Sequence, residues 1–239
     1  MSKKSKTYFN WSSGKDASLA LYHLQKEGKL HIDRLLTSIN QHFDRVSMHG
    51  LRRELLEKQA QSIGLSLTTL ELPLEPSMED YDAKMTSLVE ELKNQGYTDT
   101  AFGDIFLADL REYREAQLAP FGIQCHFPLW ERDTKELIQE FLELGFRAVV
   151  VCVKSELLDQ SFVGREIDQS FVEDLPPTVD PCGENGEFHT FCYAGPIFKQ
   201  PIAFEIGEKV FRAYKSPKQD PSAEELAQMG FWFCDLIPL

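Results

Sequence analysis

One short segment limits the fold of this chain more than any other. Ser12-Ser13-Gly14-Lys15-Asp16-Ala17-Ser18 joins a β-rich run at residues 7–11 to a helical apolar face, with Ala17, Ala20, Leu21 and Leu24 at i, i+3, i+4 and i+7. A strand that turns directly into an amphipathic helix is the first half of a β-α-β unit, and the pattern continues. Residues 34–39, 65–72, 100–105 and 123–129 read as further strands. Residues 49–63, 78–92 and 107–119 read as helices, with Gly64 and Gly96 just past the ends of two of them. This alternation predicts an α/β fold, a parallel sheet with helices on both faces. Ligands of such sheets bind beyond the carboxyl ends of the strands, and the 12–18 turn falls there.

Past residue 129 the rhythm alters. Residues 134–144 and 146–153 still read as a helix and a buried strand. A stretch rich in Pro, Gly and Asp follows at 154–195, expected to be irregular, then β-like segments at 197–206 and 231–236. Two parts are therefore expected, an α/β part at residues 1–128 and a smaller α+β part at 129–239. The acidic excess is uneven, with 15 basic against 18 acidic side chains in the first part and 10 against 20 in the second. That surface reads either as ordinary solvated acid or as a field attracting a cationic substrate or protein.

Composition excludes several function classes. The formal charge of −13 argues against tight binding of RNA or DNA, which rests on Lys and Arg neutralising phosphates. The longest apolar run, residues 148–153, is far short of the roughly 20 residues of a membrane span, and the basic start meets no apolar segment, so neither membrane nor secretion is expected. The five cysteines, at 125, 152, 182, 192 and 234, include no C-x-x-C pair. That points away from disulfides, zinc or any other built-in metal site, and toward the reducing cytoplasm.

The 12–18 turn carries the strongest chemical signal. Small hydroxyl residues opening a helix aim backbone N–H groups and the positive end of the helix dipole at an anion, so Ser12, Ser13, Gly14, Lys15, Asp16 and Ser18 are candidate phosphate-binding residues. It is not a Walker A loop, because Phe9 stands where that motif needs Gly and Asp16 where it needs Ser or Thr. The same residues can equally form a plain helix cap. Gly103-Asp104 ends the fourth strand at the same edge; the glycine permits close backbone approach, and the carboxylate suits Mg²⁺ or an ammonium group. Arg111 and Arg114 share a helix face, as clamps or as partners of neighbouring acids. His49 is expected to open the second helix. Glu184 and Glu187 flank an Asn-Gly turn that can point both inward, with Asn185 and His189 as neutral donors and acceptors beside them. Glu184, Glu187, Asp104 and His189 are thus the candidate catalytic residues. Lys15 and Asp16 are expected to lie in a turn, replaceable without loss of packing.

The turn resembles the PP-loop S-G-G-x-D-S of ATP pyrophosphatases, with Ser13 in place of the first Gly and Ala17 in place of the final Ser. Met48-His49-Gly50, Phe102-Gly103-Asp104-Ile105-Phe106, residues 128–134 (PLWERDT), residues 180–190 (DPCGENGEFHT) and, more loosely, Phe231-Trp232-Phe233-Cys234-Asp235 resemble the diphthine–ammonia ligase family of N-type ATP pyrophosphatases. The form G-E-N-G-E-F-H-T is similar to a bacterial branch, in which Asn185 and His189 depart from the G-E-G-G-E-Y-E-T of diphthamide-making members. Bacteria lack the diphthamide target, and that branch is associated with corrinoid salvage.

The resemblance implies a Rossmann-like first part of the HUP, PP-loop ATPase type that holds ATP with Mg²⁺, and a second part that helps build the substrate site. It implies an amide ligase that adenylates a carboxylate, a small molecule or a protein-bound group, releasing pyrophosphate and then AMP as ammonia attacks. Glu184 or Glu187 would collect ammonium and take its proton. The chain is compatible with a homo-oligomer. A nucleotide sensor without turnover and a tRNA-modifying PP-loop enzyme are the competing readings, the latter weakened by the charge and the missing C-x-x-C.

Overall fold

The computed structural model describes residues 5–47, 49–213 and 230–239. The first half alternates as the periodicity requires: β1 (Lys6–Asn10), α1 (Lys15–Glu27), β2 (His31–Asn40), β3 (Arg45–Val46), α2 (Arg53–Ile63), β4 (Ser66–Leu72), α3 (Met78–Asn94), β5 (Asp99–Ala101), α4 (Ala108–Leu118) and β6 (Gln124–His126). β1 lies between β2 and β5, with β4 outside β2 and β6 outside β5, all parallel. The parallel part of the sheet therefore reads β4-β2-β1-β5-β6, and the short β3 adds to β2 antiparallel. The chain builds outward from β1 to β4, then jumps back to build the other side, so the strand order reverses between β1 and β5. That reversal opens a crevice at their carboxyl ends.

Alternation along β1 splits the apolar side chains between the two faces. Phe9 joins the core shared with α1, α2 and the second sheet, while Tyr8 joins the cluster under α3 and α4, with Met85, Val89, Leu92, Phe102 and Leu118. α3 begins with a full capping box, Ser77 accepting from the Asp80 N–H and Asp80 from the Ser77 N–H.

The second sheet is antiparallel, in the order β8-β7-β10-β9. It comprises β7 (Arg147–Lys154), β8 (Phe188–Ala194), β9 (Phe204–Ala213) and β10 (Gly230–Pro238), with α5 (Thr134–Glu143) and the short α6 (Gln169–Asp174). Val149 to Val153 are at most 1% exposed, which explains an apolar run without period two: β7 is covered on both faces. One core joins the halves, Phe9, Leu21 and Leu55 packing in the same cluster as Phe141, Val149 and Phe191.

Three expectations need correction. His49 does not open α2, which starts at Arg53. The chain turns there instead, Val46 N–H bonding Leu51 O at 2.8 Å, and Gly50 takes the left-handed φ of 68° that a helix start cannot accommodate. The 154–195 stretch is not wholly irregular, because β8 follows directly on its turn; with most of its residues buried on both faces, it shows no alternation to read. The segment 197–206 is mostly not strand. Pro196 and Pro201 lack N–H donors, Phe198 N–H closes a turn on Gly195 O, and β9 begins only at Phe204.

The sheets are joined by hydrogen bonds around the β1–α1 loop. Buried Gln59, on α2, accepts from Trp11 Nε1 at 2.9 Å and donates to Ser13 O at 3.0 Å and Cys192 O at 2.6 Å. Cys192 N–H donates to Ser13 O at 2.9 Å, and Lys15 N–H to Thr190 Oγ1 at 3.0 Å. Gln59→Leu keeps the volume but strands the indole N–H and the Cys192 carbonyl, so we expect a loss of about 2–4 kcal/mol of stability. Urea unfolding followed by tryptophan fluorescence measures it, and an unchanged midpoint contradicts the clamp.

Candidate active site

At the β1–β5 crevice three segments meet: the 12–18 loop, the end of β5 and the 180–190 turn. Ser13 takes φ 70°, the left-handed conformation a glycine adopts without cost, which for serine costs about 1–2 kcal/mol. The loop thus keeps its shape although Ser13 replaces the usual Gly. The Gln59 and Cys192 bonds to its carbonyl hold it. Ser13 Oγ is buried without a hydrogen-bond partner, and Ser12 is exposed at the rim. Gly14, the N-cap of α1, lets β8 come close: a Cβ there would be 3.3 Å from Thr190 O.

Lys15 does not lie in a free turn. It is the first residue of α1, 2% exposed, and its Nζ donates to Asp16 Oδ2 at 2.7 Å and to the Cys182 carbonyl. Burial opposes its charge, but Asp16, Cys182 and Glu184 outweigh that and hold the ammonium above its usual range. Burial lifts the Asp16 carboxyl, against the pull of Lys15, with Asp180 adding to the rise. Ser18 faces away from the crevice, fully buried, with its hydroxyl donating to Gly14 O at 2.9 Å.

Gly103 lies against the first turn of α1, where a Cβ would come within 2.9 Å of Ala17 N. Asp104 follows, facing Arg114, whose Nη2 donates to Oδ1 at 3.2 Å and whose Nε lies 3.0 Å from Oδ2. Burial lifts Asp104 above the usual carboxylate range, Arg114 pulling down and Asp16 adding to the rise. Arg111 instead pairs with Glu115 at 2.9 Å and lies 4.6 Å from the centre of the Trp130 ring. A cavity of about 90 Å³ opens beside Arg114, lined by Tyr8, Asn10, Tyr81, Phe102 and Tyr113 among others.

The 180–190 turn is organised by Asp180, which accepts from Cys182 N–H at 2.9 Å and from the Thr134 hydroxyl at 2.6 Å. Its two glutamates diverge. Glu184 reaches across the crevice and accepts from Ile105 N–H at 2.7 Å, one residue past Asp104. Burial pushes it up to about 7, the Ile105 N–H pulling down and Asp16 adding to the rise. Glu187, 2% exposed, turns inward: Oε1 accepts from Asp180 N–H at 3.1 Å and Asn185 Nδ2 at 3.0 Å, while Oε2 has no partner. His189 stacks on His49, ring centres 4.5 Å apart and tilted 26°. Burial and Lys15 bring His189 down to about 4, so it is neutral at pH 7.

Sequence reasoning missed Gln59 and Thr190, which hold the loop, and Cys182, whose contribution is its backbone carbonyl. Only the position of Gln59 on a buried helix face hinted at a role, since a buried amide must find partners.

Two family models match in order. The diphthamide synthase N-terminal domain covers residues 5–119 and the diphthamide synthase C-terminal domain residues 133–217. The fold is a parallel α/β sheet whose β1–β5 crevice is closed by a second, antiparallel sheet. The chain belongs to the diphthamide synthase family. The diphthine–ammonia ligase of Bos taurus is 32% identical over 34% of this chain and 33% of its own length, and that of Danio rerio 26% over 58% and 56%. The chain thus spans about a third to a little over half of these relatives. A predicted subunit of tRNA methyltransferase from Methanocaldococcus jannaschii superposes with a TM-score of 0.42 at 18% identity, over 60% of this chain and 80% of that one.

The raised Glu184 has a signed consequence. A carboxyl that titrates near 7 when folded and near 4.5 when unfolded binds more protons in the native state between those values, so its contribution to stability falls as pH rises from about 4.5 to 7. Unfolding free energies of wild type and Glu184→Gln, measured at pH 5 and pH 7.5, are expected to shift in favour of the variant at the higher pH. A pH-independent difference contradicts the burial of this charge.

Proposed function

We propose that the chain is an ATP-dependent amide ligase: it adenylates a carboxylate, releases pyrophosphate, and converts the acyl-adenylate to an amide with ammonia. The observation that carries this reading is the meeting of the 12–18 loop, Asp104 and Glu184 at the point where the strand order reverses, in a chain of the diphthamide synthase family. In it, residues 1–128 bind ATP and 129–239 contribute the acceptor site.

The loop suits a polyphosphate because the N–H groups of Asp16 and Ala17 and the helix dipole open α1 at the crevice, with Ser12 at the rim and the unpartnered Ser13 Oγ behind it. The cavity beside Arg114, lined by Tyr8, Tyr81, Phe102 and Tyr113, offers aromatic walls to a nucleobase ring. The donor set also fits Mg²⁺, which takes one or two carboxylates and otherwise phosphate oxygens and water. Asp16 and Asp104 would hold it, and it supplies neutralisation of the triphosphate charge.

A substrate carboxylate attacks the α-phosphorus, and the loop holds the departing pyrophosphate, an electrostatic task. Ammonia then attacks the acyl carbon, AMP leaves, and the extra proton on nitrogen passes to a base. Glu184 is the base, since a carboxylate poised near 7 both accepts and releases a proton at working pH. Glu187 shapes the turn through Asp180 and Asn185, and neutral His189 supplies a polar wall for the acceptor.

With a carboxylate acceptor, ammonium chloride and Mg²⁺, phosphorus NMR is expected to show ATP going to AMP and pyrophosphate. ADP and phosphate as main products overturn the reading, and ATP binding without any turnover favours a sensor. Lys15→Ala is expected to weaken ATP binding at least about tenfold, equivalent to about 1.4 kcal/mol. It should also lower the melting temperature, because it strands the Asp16 carboxylate and the Cys182 carbonyl. Calorimetry and thermal melts read the two effects separately.

A further inference from the structure

Two stretches stand outside the chemistry described so far, the turn that carries His49 and the middle of β10, and the fold brings them together. Gly50 lies against Phe233, where a Cβ would be 3.2 Å from the ring. Arg45 donates to Gly50 O at 2.7 Å and to Asp235 Oδ1 at 2.8 Å, and Arg52 holds the same carboxylate through Nε at 3.1 Å and Nη2 at 2.5 Å. Against burial, these two guanidinium groups hold Asp235 at about 2, so the latch stays ionised near neutrality.

The latched turn presents His49 over His189. Nδ1 of His49 is shut from solvent and has no hydrogen-bond partner, an arrangement that is unfavourable unless something binds there. Lys15 is the charged side chain that acts on both rings, helping to keep them neutral. Lys15 itself is already engaged by Asp16 and the Cys182 carbonyl. The Thr190 backbone bonds the ring against this lowering but leaves Nδ1 without a partner, and a buried ring nitrogen beside a charged lysine suits an anion and disfavours ammonium.

We propose that His49 is a phosphoanion-binding residue of this crevice, its Nδ1–H donating to a phosphoryl oxygen of the nucleotide or of released pyrophosphate, and that Asp235, acting through Arg45 and Arg52, is the residue that positions it. The inference rests on the reading of the crevice as an ATP site.

Calorimetric titration of the full chain with pyrophosphate, inorganic phosphate and the Mg²⁺ complex of α,β-methylene-ATP tests it. His49→Phe is expected to weaken pyrophosphate and the nucleotide analogue about tenfold or more, and Asp235→Asn about three- to tenfold. His49→Gln, which keeps an N–H donor, is expected to bind within about threefold of wild type, a rescue that a packing role would not give. Wild-type affinity in His49→Phe overturns the proposal, as does a His49→Gln loss equal to that of His49→Phe. Should His49→Phe not fold, wild-type protein labelled with ¹⁵N-histidine decides: saturating pyrophosphate is expected to shift the His49 ring nitrogens, and unshifted nitrogens overturn the proposal. A wild type that binds none of the three ligands overturns the ATP reading itself, an outcome distinct from binding that ignores His49.

Discussion

Everything in the crevice depends on a single buried amide. Gln59 bonds the Trp11 indole, the Ser13 carbonyl and the Cys192 carbonyl, so the β1–α1 loop and β8, far apart in sequence, are both fixed to one side chain. Because the site is fully buried, water offers no alternative partners, and the geometry is enforced by the cost of leaving any of them unpaired. The loop can therefore hold a left-handed Ser13 that its own sequence would not favour. Strain stored at the loop is offset by bonds made elsewhere in the fold.

Once β8 is fixed to the loop, the turn before it has few options. Asp180 is tied to α5 through Thr134, and Phe188 follows directly into β8, so residues 181–187 must arch over Lys15. That arch puts the Cys182 carbonyl on the lysine and Glu184 against the Ile105 N–H. The result concentrates Asp16, Asp104 and Glu184 around one ammonium and one guanidinium. Burial lifts these carboxyls, and the neighbouring acids add to the rise. A polyphosphate with its Mg²⁺ would enter a site whose internal ion pairs are already made, and would have to exchange with them.

The parallel sheet was legible because helix and strand alternate with different apolar periods, and even the strand boundaries were close for β2 and β4. The 12–18 loop, Gly103-Asp104 and the 180–190 turn were legible as chemistry because small, charged and turn-forming residues cluster there. Their convergence was not. It follows from β8 pairing with β7 and docking on α1, and a strand buried on both faces has no alternating signature. The roles of the two glutamates were illegible for a related reason. Their spacing is symmetric about the Asn-Gly turn, but Gly183 and Gly186 both take left-handed φ and turn the chain so that one carboxylate crosses the crevice and the other folds back.

The departures in the loop sequence then acquire a physical meaning. Ala17 is part of the core, and Ser18 spends its hydroxyl on Gly14 O, so neither position offers a hydroxyl to the crevice. Lys15 N–H is taken by Thr190. What remains at the start of α1 is the backbone of Asp16 and Ala17, with Ser12 at the rim. Gly103 lies directly against those two residues, and any side chain there would fill the space beside Ala17 N. A loop that has exchanged side-chain donors for backbone ones depends on bare backbone opposite it. The glycine just past β5 thus faces the same backbone N–H groups on which the proposed phosphate site relies.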